Sequence, residues 1–159
     1  MSAGGARSRG FTLIEVLVVL MIAAIGLTFA LLSFGGYFRR VSAERAAQVF
    51  AQDLTLARTW AVRSREPVVI RFYEGSLWYQ VEARNTATEV AARRFGVNAD
   101  IDLSAVTLDF PGDSVVFDVR GFADLSGIGA SLGTATFSSG PVTYTVSFNS
   151  MGASKIDRT

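Results

Sequence analysis

Histidine and cysteine are both absent from the 159 residues of this chain. Without histidine, the chain has no Ser-His-Asp triad, no imidazole acid–base relay and no histidine-ligated metal site. Without cysteine, it has no disulfide and no thiolate zinc site. The most common catalytic and metal-binding arrangements are therefore excluded, and any function must come from other chemistry.

An excess of charge of either sign is also missing. The chain carries 15 basic and 14 acidic residues, a formal net charge of +1. A nearly neutral chain has no general attraction for nucleic acid or anionic lipid, so such binding would need a local basic patch. The length suits one domain plus a membrane segment.

Charge is scarcest between Phe11 and Phe34, where Glu15 is the single charged residue. A helix of this length is roughly 36 Å long, which is enough to cross the hydrocarbon of a bilayer. A carboxylate in the middle of a membrane costs on the order of 2.5–3.5 kcal/mol, so a plain anchor has no reason to carry one. We therefore expect Glu15 to pair with a positive charge on another, similar helix. The alternative is a simple single-pass anchor.

The residues that lead into this apolar segment are Arg7-Ser8-Arg9-Gly10-Phe11-Thr12-Leu13-Ile14-Glu15. They resemble the type III signal of type IV pilins and type II secretion pseudopilins. The resemblance implies that a prepilin peptidase cleaves between Gly10 and Phe11 and that the new Phe11 amine is methylated. It also implies that Glu15 is the charge used in subunit assembly.

The same resemblance divides the chain into three parts. Residues 1–10 are the prepilin leader, and residues 11–38 are a transmembrane and filament-core helix. Residues 39–159 are an amphipathic helix and a periplasmic β-rich pilin domain. The basic residues on the two sides of the apolar segment balance each other, so the orientation in the membrane follows from the resemblance and not from the charges.

From Arg39 to about Arg65 the pattern predicts a continuing amphipathic helix. Apolar residues recur at helical spacing and form one face that should pack on a sheet. That face comprises Phe50, Leu54, Ala57 and Ala61, with Val49 and Trp60 beside it. Glu66-Pro67 should end the helix, because a residue before proline disfavours the α conformation.

After Pro67 the pattern changes to short alternating segments separated by turn residues, which indicates strands. The predicted strands are Val68–Tyr73, Leu77–Glu82, Val106–Phe110, Ser114–Val119, Thr134–Phe137, Val142–Phe148 and Ala153–Ile156. Loops are predicted at residues 85–88 and 121–133. The fold class is therefore α+β: a long N-terminal helix, transmembrane and then amphipathic, packed on an antiparallel β-sheet or a small β-sandwich.

The C-terminal half resembles the GspH/FimT-type minor pseudopilins and minor pilins. The similar elements are Phe117-Asp118-Val119-Arg120-Gly121-Phe122, Gly133–Phe137, Val142–Ser147 and Asn149-Ser150-Met151-Gly152. The resemblance implies a minor pseudopilin near the tip of the type II secretion pseudopilus, where it supports protein export. The alternative is a minor pilin of a type IV pilus, acting in pilus assembly or DNA uptake.

This assignment sets the expected partners and location. The partners are other pseudopilins or pilins, bound through the N-terminal helix, and the prepilin peptidase and methylase. The expected location is the bacterial inner membrane, crossed once, with the globular domain in the periplasm and later in the pseudopilus. We expect a structural subunit and not an enzyme, with no cofactor.

Some FimT-like pilins bind DNA through an arginine-rich element after the C-terminal glycine. The matching stretch here offers Lys155 and Arg158 with Asp157 between them. This departure from the pattern leaves DNA binding a weak alternative. Arg93-Arg94 is a second small basic spot, which we interpret as a solvated strand or loop edge.

Three further features have ordinary structural interpretations. The carboxylate pairs Asp100 with Asp102 and Asp109 with Asp113 are interpreted as solvated loop and turn residues, and we predict no metal site, although calcium would accept all-oxygen ligands. Residues 127–133 fail the phosphate-loop pattern because position 132 is leucine. The aromatic residues Trp60, Trp78 and Tyr79 are expected to fill the helix–sheet core.

Overall fold

A computed structural model describes residues 11–73, 77–96, 99–126 and 132–159. The chain forms two compact units that divide between Tyr37 and Phe38, and each is considered separately. The described part of the first is helical from Leu13 onward, and the second combines helix with two β-sheets.

Helix α1 spans Leu13–Ser64, and local chemistry explains both of its ends. At the start, the amide N–H of Glu15 donates to the hydroxyl oxygen of Thr12 at 3.3 Å, which satisfies one of the unpaired donors of the first turn. At the end, Arg65 adopts a left-handed φ of 57° directly before Glu66-Pro67. The predicted end of the helix is confirmed to within one residue.

In the described part of the chain, eight strands follow in two four-stranded antiparallel sheets. Sheet A has the order β3-β2-β1-β5 and sheet B the order β4-β6-β7-β8. The strands are β1 Val68–Phe72, β2 Trp78–Ala83, β3 Glu89–Arg94, β4 Ala105–Asp109, β5 Ser114–Phe117, β6 Leu132–Ser139, β7 Val142–Asn149 and β8 Ser154–Arg158. A short 3-10 turn, Pro111–Asp113, joins β4 to β5.

The core of the second unit lies where α1 meets both sheets, and Phe50 is at its centre. The Phe50 ring lies 5.5 and 5.6 Å from the rings of Phe72 and Tyr79 in sheet A, and 5.5 and 6.2 Å from those of Phe137 and Phe148 in sheet B. The predicted helix face is fully buried at Phe50, Leu54, Ala57 and Ala61. Burial of each large side chain contributes about 1.5–3 kcal/mol. The prediction of a long helix packed on antiparallel β-structure is confirmed.

Strand β3 was not predicted. Its sequence, Glu89-Val-Ala-Ala-Arg-Arg, is poor in β-branched and aromatic residues, so its local preference for a strand is weak. Pairing with β2 holds it in place: Trp78 lies opposite Arg94, and Gln80 lies opposite Ala92. Tertiary contacts therefore determine this strand.

Two other boundaries differ from the prediction. Strand β5 ends at Phe117 and not at Val119, because the carboxylate of Asp118 accepts backbone N–H groups and turns the chain. Strand β6 begins at Leu132, within the predicted loop. A β-carbon at Gly133 would lie 2.5 Å from Cζ of Phe148, so the glycine makes room for that buried ring.

Candidate assembly site

The N-terminal part of α1 is long and apolar enough to cross a membrane. Its apolar side chains are largely exposed, with 83% exposure at Leu13 and 70% at Phe29. An exposed apolar surface of this extent needs lipid or protein around it.

Glu15 lies in the first turn of α1 and is exposed. With Thr12 as the N-cap, Thr12-x-x-Glu15 has the spacing of a capping box, and a carboxylate near a helix N-terminus is stabilised by the helix dipole. Within the described part of the chain, no Lys or Arg nitrogen lies within 4 Å of its carboxylate. Phe11 begins the described residues, and Gly10 lies outside them.

A buried polar cluster in the second unit was missed by the sequence analysis. Asp53 is 2% exposed, although it stands beside Leu54 on the buried side of α1. Its carboxylate accepts a hydrogen bond from the Tyr79 hydroxyl at 2.7 Å and bonds from Nε and Nη2 of Arg93 at 2.8 and 3.0 Å. The signal available in the sequence was one acidic residue within an otherwise apolar stripe.

Arg93 lies on an edge strand, as interpreted from the sequence, but its partly exposed guanidinium also binds the buried Asp53. The hydrogen bond to Asp53 raises the pKa of the Arg93 guanidinium above its usual value. Burial, and then the negative charge of Asp53, raise the pKa of Tyr79 far above the normal value for a phenol. Tyr79 and Arg93 both bind the Asp53 carboxylate. These three residues therefore form a clamp that joins α1 to sheet A.

Of the three aromatic residues assigned to the core, Tyr79 is fully buried and Trp60 packs half-buried against the core. Trp78 lies instead on the outer face of β2. Its ring stacks on Tyr73 at 3.8 Å with an interplanar angle of 4°, and the Arg94 guanidinium lies 5.6 Å from its centre.

The glycine elements that carry the family resemblance form a junction at the end of α1. Gly121 has φ +82°, and a β-carbon there would lie 2.9 Å from Cγ2 of Val62. Gly152 has φ +71°, and its β-carbon would lie 3.1 Å from Cε1 of Phe117. Glycine is needed at both positions for the positive φ and for the close approach.

Side-chain hydrogen bonds hold the turns of this junction. Asp118 Oδ1 accepts the amides of Arg120 at 2.9 Å and Phe122 at 2.8 Å, and the bond from Phe122 is the main reason that the pKa of Asp118 lies below its usual value. Asn149 Oδ1 accepts the amides of Met151 and Ala153, both at 3.0 Å.

The two carboxylate pairs lie in loop, turn or strand-end positions that are exposed or partly exposed. Asp100, Asp102 and Asp109 are exposed, and Asp113 is half-buried in the 3-10 turn. The described residues contain no group of three side chains suited to hold a metal ion. Residues 127–131 of the glycine-rich stretch lie outside the described residues.

The C-terminal basic residues lie on β8, at the edge of sheet B. Lys155 Nζ is 2.8 Å from Asp157 Oδ1, and both side chains are at least half exposed. Arg158 is also exposed. Since Asp157 neutralises Lys155, this strand presents little net positive charge to a polyanion.

Two family models match the chain. The prokaryotic N-terminal methylation motif matches residues 5–31, and the type II transport protein GspH matches residues 46–152. No curated protein sequence matches.

Among similar solved structures, two crystal forms of one protein support the fold. The type IV minor pilin FimU of Pseudomonas aeruginosa is similar in two crystal forms. One has a TM-score of 0.54 at 14% identity, and the alignment covers 76% of this chain and 92% of FimU. The other has a TM-score of 0.51 at 13% identity, with 72% of this chain and 91% of FimU covered. The minor pseudopilin EpsH from the type 2 secretion system of Vibrio cholerae has a TM-score of 0.49 at 16% identity, covering 74% of this chain and 97% of EpsH. The GspH model spans more than half of this sequence. The chain therefore belongs to the GspH family of type II transport proteins and is a minor pseudopilin of the type IV pilin-like kind, with a membrane-anchoring N-terminal helix and a globular β-rich domain.

Proposed function

We propose that this minor pseudopilin is a structural subunit and not an enzyme, and that it enters the type II secretion pseudopilus near its tip to support protein export. The observation that carries the proposal is Glu15, which is exposed at the start of an apolar helix and has no basic partner within 4 Å in the described chain. A buried charge is costly unless it is paired, so we infer that its partner comes from another subunit once the leader has been removed.

The proposed processing supplies that partner. Residues 1–10 are removed as the leader, residues 11–38 form the transmembrane and filament-core helix, and residues 39–159 form the periplasmic part. Cleavage after Gly10 by the prepilin peptidase creates an ammonium group on Phe11, which is then N-methylated. A secondary amine of this kind is still protonated at neutral pH, so methylation preserves the positive charge.

In the assembled filament, the Glu15 carboxylate pairs with the Phe11 ammonium of a neighbouring subunit. The pair forms among apolar helices, where the effective dielectric constant is low and an unpaired charge is costly. Because Glu15 lies one helical turn from Phe11, the pair also sets the axial offset between neighbouring helices. Before assembly, the helix holds the protein in the inner membrane with the β-rich domain in the periplasm.

Cleavage is tested with Gly10→Val, and Gly5→Val in the same leader serves as the matched control. The Gly10 variant should accumulate as the full precursor, because a branched side chain blocks the scissile position. The Gly5 variant should mature to a protein that begins at methylated Phe11. Intact-mass and N-terminal analysis distinguish the two forms, and normal maturation of Gly10→Val would refute the assignment.

Assembly is tested with Glu15→Leu against Glu15→Asp. Both should be processed, because the cleavage position is unchanged. The Leu variant should no longer co-purify with other pseudopilins from detergent-solubilised membranes, whereas the Asp variant should retain part of the binding. Full co-purification and secretion with leucine at this position would show that the charge pair is not needed.

A minor pilin of a type IV pilus remains the second candidate, and it would use the same helix chemistry. The likeness to FimU concerns the fold and does not separate the two functions. Mass spectrometry of the co-purified subunits decides between them, since the partners are secretion pseudopilins in one case and type IV pilins in the other.

A further inference from the structure

Among the described residues, the two sheets end in four edge strands, and an open edge binds other strands unless the protein protects it. Strand β3 is protected by Arg93, an inward-pointing charge held by Asp53, and by a register shift between Val81 and Glu82 in its partner strand. Inward charges and bulges are two of the features that discourage edge pairing.

Two further edges are blocked in other ways. On β5, the carbonyl of Val116 accepts the amide of Asp124 at 2.8 Å, and Phe117 pairs with Ala123, so the following segment covers part of this edge. Strand β8 carries Lys155, Asp157 and Arg158, and charges on an edge strand oppose strand addition.

Strand β4 has none of these protections in the described part of the chain. It pairs with β6 in an unbroken register from Ala105 to Asp109. It contains no proline, and its only charge is Asp109 at the C-terminal end. The side chains of Ala105, Thr107 and Asp109 are exposed, whereas Val106 and Leu108 are half-buried against the core.

We propose that β4 is a docking edge that receives an extended strand from a different pilin-like subunit of the filament. This inference rests on the proposed function. The edge of a sheet offers backbone donors and acceptors, and an extended chain satisfies these in register.

The neighbouring strands define the chemistry of the incoming strand. Thr107 lies opposite Thr136, which lies opposite Thr145, and the hydroxyls of Thr136 and Thr145 are 3.1 Å apart. Cross-strand threonine pairs of this kind stabilise sheets, so the incoming strand places a Ser or Thr opposite Thr107. It places a Lys or Arg opposite Asp109, since a cation there pairs with the single carboxylate of this edge.

A second copy of this chain fits the edge less well. In a symmetric antiparallel pair of β4 strands centred on Thr107, Asp109 would face Ala105 of the other copy. Both carboxylates would then lack a cation, and the sequence of β4 supplies none. This symmetric pairing is therefore disfavoured, and the occupant we propose is a different subunit.

The absence of cysteine allows a direct test, because Thr107→Cys introduces the sole thiol of the chain. A benzophenone maleimide attached there is activated by light in membranes that contain the processed full-length protein and the other pilin-like subunits. Ser147→Cys is the matched control, because Ser147 lies on the central strand β7. Cross-linked peptides are identified by mass spectrometry.

The expected result is an adduct from position 107 to a strand of one other pilin-like subunit, and none from position 147. A second attachment position, Ala105→Cys, allows residue 107 itself to be changed. Adding Thr107→Lys to Ala105→Cys should lower the yield of the adduct from position 105 roughly tenfold, because an edge lysine opposes strand addition. Ser147→Lys with Ala105→Cys should leave the yield unchanged.

Adducts to a second copy of the chain only, equal adducts from positions 107 and 147, or no adduct at position 107 would each overturn the β4 inference. The proposed function fails separately: in that case no pilin-like subunit co-purifies with the unmodified protein. Co-purification without a β4 adduct leaves the proposed function standing and removes this inference alone.

Discussion

Asp53 and Arg93 form a two-point ion pair that joins the buried side of α1 to the edge strand β3, with Nε–Oδ2 and Nη2–Oδ1 distances of 2.8 and 3.0 Å. The two partners differ in their contact with solvent. The side chain of Asp53 is 3% exposed and that of Arg93 is 42% exposed. Loss of one partner therefore has a different consequence from loss of the other.

Arg93→Met should destabilise the protein by about 3–5 kcal/mol, because it leaves a buried carboxylate with only the Tyr79 hydroxyl. Asp53→Asn should cost less, about 1–3 kcal/mol, because the freed guanidinium can be hydrated. Urea unfolding of the protein in detergent, followed by far-UV circular dichroism, measures both values.

Arg94→Met is the control for this pair. Arg94 is exposed and lies over the Trp78 ring, a contact worth about 0.5–1 kcal/mol at an exposed site. Should Asp53→Asn prove more harmful than Arg93→Met, the clamp would depend on the two acceptor oxygens of Asp53, including the bond from Tyr79, and not on the compensation of its charge.

The difference between α1 and β3 shows what the sequence determines locally. The face of α1 was predictable because Phe50 and Leu54 recur at helical spacing in a chain segment that also favours helix. Strand β3 was not, because Ala91 and Ala92 carry no strand preference and its position depends on β2. Pairing with a neighbouring strand leaves no periodic signal in the paired residues.

The two carboxylates Glu15 and Asp53 also differ in how far the sequence alone reveals their roles. Glu15 was recognisable because a charge within an apolar run is anomalous wherever the chain folds. Asp53 was not recognised, because its partners Tyr79 and Arg93 are 26 and 40 residues away in the chain. A buried carboxylate can be assigned a role only when the group that compensates it is known.

Gly121→Ala should be among the most damaging single-atom changes in the globular domain. A β-carbon there meets Val62 at 2.9 Å, in addition to the strain of φ +82°, so we expect a loss of about 2–4 kcal/mol. Gly112→Ala is the matched control, because it has φ +69° but no described atom within 4 Å of the new carbon. It should cost only about 1 kcal/mol.

Thermal unfolding of the two variants separates steric overlap from backbone strain. Equal shifts in Tm at positions 121 and 112 would mean that the contact with Val62 relaxes without cost. A larger shift at Gly121 would explain why this family element requires glycine.

Thr12→Val should weaken the start of α1, because valine has the shape of threonine but cannot accept the amide of Glu15. Loss of an N-cap costs about 1 kcal/mol, and fraying of the first turn would also displace the Glu15 carboxylate. Thr12→Ser keeps the acceptor and should behave as the native protein.

The measurement is the amount of other pseudopilins that co-purifies with each variant, after confirming that both are processed. If Thr12→Val binds as well as Thr12→Ser, the position of Glu15 does not depend on the cap, and the assembled helices alone hold the first turn.

Acidification should loosen the turn between β5 and β6 through Asp118. The pKa of this carboxyl is lowered in the folded protein, mainly by the amide N–H of Phe122 and further by Arg120. Because the folded-state pKa lies below the unfolded value of about 3.9, the ionised carboxylate stabilises the fold fully above that unfolded value. This stabilisation is lost as the pH falls through the folded-state pKa. The pKa of Asp124 is also lowered, chiefly by hydrogen bonds from Ser126, and contributes over the same range.

Asp118→Asn should therefore reduce, but not abolish, the decrease in unfolding free energy below about pH 4, because Asp124 still titrates. Urea unfolding from pH 6 to pH 2 measures the slopes. An unchanged slope in Asp118→Asn would show that the turn is equally stable with a protonated carboxyl, so that the backbone bond from Gly121 N to Asp118 O at 2.8 Å is sufficient to hold it.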